Sequence, residues 1–195
     1  MHVLILLILC LPCFAQEVAR LRYERLEGHA RVTGHGTAFC IDKNLLLTAA
    51  HNVLDDKGEP YNTIHIEVGE DWIKGHVVRF DTSLDLCLIK CNAPLESLKL
   101  ADADAGKGSK LLLIGSKRGT PLTFHSGVLD RRFTGGTVRT RAKIKFDHGD
   151  SGGPVLEKNK VVGIAVAGEP KDGDLDPDIC LFVPISAIRS FLDGD

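Results

Sequence analysis

From Arg31 onward the chain is divided into short apolar runs separated by turn residues. Thr37-Ala38-Phe39-Cys40-Ile41 meets Asp42-Lys43-Asn44 and then Leu45-Leu46-Leu47-Thr48, a hairpin signature. Ile64 to Val68 alternates with period two, as a half-buried strand does. Trp72–Phe80, Leu84–Lys90, Lys110–Ile114, Leu122–Leu129, Thr137–Phe146, Val155-Leu156, Val161–Val166 and Cys180–Val183 continue the series. Glu157-Lys158-Asn159-Lys160 reads as a hairpin turn. Such spacing predicts an all-β sandwich or barrel. Helical character is confined to the end, where Ile185, Ile188 and Leu192 share a face behind Pro184.

The N-terminal part differs. Val3 to Leu11 is apolar throughout, too short to span a bilayer but suited to the h-region of a secretory signal peptide. Residues 1–15 are read as that signal, with processing after Ala15, so the protein is expected to be exported, periplasmic or secreted, with no membrane span in its mature form. A lipid anchor at Cys10 or Cys13 is disfavoured, because Leu9 and Pro12 stand where small residues are needed. Polar residues 16–30 read as an N-terminal extension, with a short helix as one form for it.

The 195 residues, 44% of them hydrophobic, suffice for one or two small domains with a real core. A net charge of −2 gives no electrostatic reason to expect a nucleic-acid partner. Asp172, Asp174, Asp176 and Asp178 suggest a calcium loop, but Pro177 and a missing distal glutamate argue for a solvated loop. Neither these nor the cysteines form a metal pattern, and no cofactor is expected. In the mature chain Cys40, Cys87, Cys91 and Cys180 leave disulfides and buried thiols both open. Cys87 with Cys91 is excluded, since four residues of strand separate them by about 13 Å and a disulfide needs roughly 7 Å or less.

The chemistry is concentrated in His148-Gly149-Asp150-Ser151-Gly152-Gly153-Pro154. A serine hydroxyl is a weak nucleophile unless a base takes its proton and N–H groups receive the charge of the attacked carbonyl. Glycines let a chain turn sharply and aim two N–H groups at one point. Gly149-x-Ser151-x-Gly153 also matches the nucleophile elbow of α/β-hydrolases, but that fold needs a histidine after the serine, and His148 is the last in the chain. The base must lie upstream. His51, in Thr48-Ala49-Ala50-His51-Asn52-Val53, is anchored by Leu45 to Leu47 and has small neighbours beside a cleft. His65 belongs to a solvated strand face; His29, His35, His76 and His125 read as loop residues. Asp85, at the head of an apolar strand, needs a partner for its charge, and a histidine N–H would supply one. Asp81 is the fallback.

The order His51, Asp85, Ser151 with its three surrounding segments resembles the chymotrypsin-like serine proteases, and Cys180-Leu181-Phe182-Val183-Pro184-Ile185 resembles their bacterial Deg-type branch. The similarity covers roughly Gly34 to Leu192. It implies two six-stranded β-barrels with the active site between them: barrel 1 about 31–92, a connection at 93–108, barrel 2 about 109–184 and a C-terminal helix at 185–193, all within one domain of 31–195. It also implies a serine endopeptidase acting on a protein or peptide substrate, with His51 as general base, Asp85 as orienter and Ser151 as nucleophile. The N–H groups of Gly149 and Ser151 would form the oxyanion hole, and Val166-Ala167-Gly168 would hold an extended peptide. His148 and Lys145 would border the substrate pocket; Lys145 either lies at its floor, favouring acidic side chains, or points outward. The alternative is an inactive, protease-like peptide-binding module. No apolar-Val-Gly-Gly start and no downstream peptide-binding domain fit the sequence, so Asp150 would lack the amino terminus it pairs with in the digestive enzymes. Oligomeric state is not legible.

Overall fold

The computed structural model describes residues 16–27, 30–55, 57–61, 63–132 and 138–194. The expected signal segment 1–15, with Cys10 and Cys13, and His29 lie outside the described residues. Among the described residues, twelve strands form two closed six-stranded barrels, followed by one α-helix.

The first barrel uses β1 (Val18–Glu27), β2 (Ala30–Asp42), β3 (Leu45–Ala49), β4 (Thr63–Val68), β5 (Asp71–Asp81) and β6 (Leu86–Lys90), ordered β1-β2-β3-β6-β5-β4 around the wall. The second uses β7 (Lys110–Gly115), β8 (Thr123–Arg132), β9 (Thr140–Lys143), β10 (Pro154–Glu157), β11 (Lys160–Lys171) and β12 (Asp174–Pro184). Its order, β7-β8-β9-β12-β11-β10, repeats that of the first. Closure removes the free edges that an open sheet must protect.

Residues 16–30 are a correction to the expected extension. Val18–Glu27 is a strand paired along its whole length with β2 and partly with β4. Ala19 and Leu21 are buried, while Arg20 and Arg22 stack against Trp72. Charged residues on the outer face hid the period-two pattern. His35, His76 and His125 likewise sit in β2, β5 and β8 rather than in loops. The acidic stretch is no loop either: it forms the distal end of the β11–β12 hairpin, turning at Asp172-Gly173. Thr140–Lys143 is the strand within the expected Thr137–Phe146, with Thr137 outside the described residues.

Strand β3 shows why Leu45–Leu47 is apolar without alternation. Leu46 enters the core of the first barrel, and Leu47 faces the second barrel across the seam. In β6, Cys87 and Ile89 point inward while Leu86 and Leu88 face the seam. A strand buried on both faces reads as a near-continuous apolar run, broken in β3 only by the buried Thr48. The larger core therefore crosses the seam, joining Phe39, Leu47 and Leu86 to Leu113, Val155 and Ile164. The β10–β11 turn carries Lys158 at φ 49° and Asn159 at φ 65°, the positive pair that a two-residue hairpin requires.

Helix α1 (Ile185–Asp193) buries Ile185, Ile188 and Phe191, with Leu192 half-buried. Arg79 of β5 donates to the Phe191 carbonyl and stacks on its ring at 4.6 Å, tying the helix to the first barrel. All four cysteines among the described residues are free and buried.

Candidate active site

Two side chains meet because of strand register. Ala49 of β3 pairs with Leu86 of β6, so the next residue beyond each strand is held at the same end of the ladder. The chain then enters a 3₁₀ turn, Ala50–Asn52, that carries His51. Ala50 N–H donates to the Asp85 carbonyl at 3.1 Å. His51 N–H donates to Asp85 Oδ1 at 3.0 Å, and Nδ1 lies 2.8 Å from Oδ2. A carboxylate can only accept, so Nδ1 carries the proton and Nε2 is the basic atom. The His51 side chain is 48% exposed and that of Asp85 19%. Asp85 precedes the strand that was expected to contain it, at φ 57°, a left-handed value that aspartate tolerates better than most residues. Asp81 is occupied elsewhere: its Oδ1 accepts from Ser83 N, Ser83 Oγ and Leu84 N at 2.8, 2.6 and 2.9 Å.

Ser151 lies across the seam, 8% exposed, in a loop whose Gly149 and Gly152 have φ of 93° and 84°. A Cβ on Gly152 would stand 2.0 Å from the Thr37 carbonyl oxygen, and one on Gly149 2.3 Å from that of Ser116. Among the described residues, Ser151 Oγ has Val166 O as its hydrogen-bond partner, at 3.5 Å, and makes no bond to His51. The structure therefore joins His51 to Asp85 and leaves the hydroxyl turned toward β11. Catalytic hydrogen bonds are often long or misaligned before substrate binds.

Val166–Gly168 lie in β11 beyond the last β10 partner, Ile164; Ala167 and Gly168 pair with β12 on the opposite flank, while Val166 falls at a shift of register. His148 is exposed beside the loop, and its carbonyl accepts from Arg118 N–H at 2.6 Å. Lys145 is exposed and borders a cavity of about 240 Å³ with Lys117, His125, Asp147 and Asp150; neither His51 nor Ser151 lines it. A larger cavity of about 630 Å³ opens beside His51 and Asp85, walled by Leu54, Thr82 and the stacked rings of Tyr23 and Tyr61, 4.3 Å apart.

Asp150, next to Ser151 in the same loop, is wholly buried. Its Oδ2 accepts from Asp147 N–H at 2.9 Å, while Oδ1 has no partner among the described residues. Burial, reinforced by the Asp147 charge, pushes this carboxyl up to about 6.

Sequence reasoning missed Thr37, Thr48 and Asn52, which are buried polar residues of the first barrel aimed at this loop. Their signal was faint: polar residues inside otherwise apolar segments. No cluster of His, Cys, Asp or Glu among the described residues could hold a metal ion, and no helix among them is long and apolar enough to cross a membrane.

Residues 36–164 match the trypsin-like peptidase domain family. The chain is 28% identical over 145 residues to the magnetosome formation protease MamE of Magnetospirillum gryphiswaldense, covering 68% of this chain and 18% of that protein. With the same-named protease of Paramagnetospirillum magneticum it shares 26% identity over 168 residues, 80% of this chain and 23% of the relative. The chain thus spans less than a quarter of these relatives' length. Its fold is similar to that of the Rv3671c protease from M. tuberculosis, with a TM-score of 0.79 for the active form at 20% identity, over 92% of this chain and 80% of that one. For the inactive form the TM-score is 0.77 at 19% identity, covering 93% and 89%.

Proposed function

The chain belongs to the trypsin-like peptidase family, and on that premise we propose that it is an exported serine endopeptidase working through an acyl-enzyme. The observation that carries the reading is the two-point grip of Asp85 on His51, through the main-chain N–H and Nδ1. It fixes both the tautomer and the plane of the imidazole. A hydrogen-bonded carboxylate beside a half-exposed imidazole also stabilises the charge that forms there when it takes a proton.

Ser151 Oγ attacks the scissile carbonyl as its proton passes to His51 Nε2. The N–H groups of Gly149 and Ser151 receive the developing oxyanion. His51 then protonates the departing amine, leaving an ester on Ser151, which water hydrolyses by the reverse sequence of proton transfers. Beyond Ile164, β11 has no strand partner on the β10 side among the described residues, which suits an extended peptide held by main-chain hydrogen bonds. Lys145 and His148 border the substrate side chains in this reading, Lys145 favouring acidic ones. In this reading the Ser151 hydroxyl leaves Val166 O and turns to His51 before it attacks.

The test is labelling by a fluorophosphonate probe. The folded protein should react, and Ser151→Ala should not react while keeping its thermal transition. No labelling of a folded chain would sink the enzyme reading and favour a peptide-binding module. A fluorogenic peptide panel that prefers neutral aliphatic residues over Glu and Asp would remove Lys145 from its role.

A further inference from the structure

An oxyanion hole depends on the orientation of peptide planes, and in a trans peptide the N–H points opposite to its C=O. Four consecutive carbonyls of the nucleophile loop are each engaged. His148 O accepts from Arg118 N–H at 2.6 Å, and Asp150 O from Gly153 N–H at 3.0 Å. These are the planes whose N–H groups belong to Gly149 and Ser151. The two carbonyls between and after them are held from the other barrel. Gly149 O accepts from Thr37 Oγ1 at 2.8 Å. Ser151 O accepts from Thr37 N–H at 2.9 Å and from Asn52 Nδ2 at 2.8 Å.

The first-barrel side of this contact is itself fixed. Thr37 Oγ1 accepts from Ser116 N–H at 2.9 Å, so its own proton is committed to Gly149. Thr48 Oγ1 donates to Thr37 O at 2.7 Å and accepts from Asn52 Nδ2 at 3.1 Å. Thr37 and Thr48 are fully buried and Asn52 is 3% exposed. Gly36 makes room for the amide, since a Cβ there would stand 2.4 Å from Asn52 Nδ2. Asn52 also directly follows His51, so one 3₁₀ turn carries both the imidazole and a group that holds the serine's carbonyl.

We propose that Thr37 and Asn52 are positioning residues: the Thr37 hydroxyl and the Asn52 amide hold the Gly149 and Ser151 carbonyls so that the oxyanion hole is preformed. This rests on reading Ser151 as the nucleophile. It also explains how the loop keeps its shape while Asp150 Oδ1 within it has no partner. A network satisfied at every member rigidifies its surroundings, and loss of one member leaves others buried and unpaired.

Thr37→Val keeps the shape and removes the hydroxyl. It should lower kcat roughly 10- to 100-fold with little change in KM, less than the ~10²–10³ lost with an outright oxyanion donor. Thr37→Ser should restore kcat to within about threefold, because it returns the hydroxyl. Asn52→Leu leaves Ser151 O its bond to Thr37 N–H and should cost roughly 3- to 10-fold; it carries the test where Thr37→Val does not fold. Amide hydrogen exchange across residues 148–152 should accelerate in both variants. In an active enzyme, kcat unmoved within about twofold overturns the proposal whatever exchange does. A chain inert to the fluorophosphonate defeats the protease reading, and exchange alone then decides: acceleration supports the positioning role, and an unchanged rate overturns it.

Discussion

Asp85 holds His51 twice, accepting from the main-chain N–H at 3.0 Å through Oδ1 and from the ring at 2.8 Å through Oδ2. The main-chain bond sets where the residue sits, and the ring bond sets how the imidazole faces. Asp85→Asn can preserve the first and must disturb the second, because one amide oxygen cannot replace two carboxylate oxygens. Turnover should fall by roughly 10⁴, the loss seen in comparable triads, with little change in the thermal midpoint. Steady-state kinetics on a peptide substrate checks it; a loss under about tenfold would contradict the orienting role.

Asp150 should leave a signature in stability against pH. Its carboxyl is raised from 3.8 to about 6 by burial, so between those values the folded chain holds more proton than the unfolded one. The group's contribution is then fully present below about pH 4, is lost as pH rises toward about 6, and stays flat above that. The difference is on the order of 2–3 kcal/mol at most. Asp150→Asn should remove this slope, so that the variant gains on the parent as pH rises through the window. Thermal melts from pH 4 to 8 would show it, and parallel curves would refute it.

Gly152→Ala tests the close approach of the barrels. The added Cβ would meet the Thr37 carbonyl oxygen at 2.0 Å in a backbone at φ 84°. Left-handed strain of about 1–2 kcal/mol and a clash with main chain act together. Activity should be lost and the thermal midpoint lowered by several degrees, whereas Gly173→Ala, at a similar φ of 86° but in open space, should cost only the strain.

The buried thiols give a chemical check. Burial pushes the Cys87 thiol up to about 12 and Cys180 further up, so neither supplies thiolate at neutral pH. Cys87 and Cys180 should resist alkylation in the native protein and react in denaturant; peptide mapping after iodoacetamide would show this. Fast native labelling of Cys87 would contradict its placement inside the first barrel.

Much of this was legible because local signals agreed with the fold. Leu45–Leu47 read as a hairpin strand anchoring His51, Glu157-Lys158-Asn159-Lys160 as a turn, and Asp85 as a charge in need of a partner. Strand β1 was not legible, since Arg20, Arg22 and Glu24 interrupt Ala19 and Leu21 and make a barrel strand look like a solvated tail. The distal β11–β12 hairpin was hidden in the same way by its aspartates. Thr37 and Asn52 could not be found from neighbours in sequence, because the carbonyls they hold are 112 and 99 residues away. Side chains that act on distant main chain leave no periodic trace.

The apolar cluster that runs through the seam has a mechanical consequence. Swinging one barrel away from its neighbour would put Phe39, Leu47 and Leu86 in contact with water at the same moment as Val155 and Ile164. Neither half can therefore loosen on its own without most of the cost of melting both. The molecule should denature as one cooperative body, the seam keeping its two halves in fixed register until both melt.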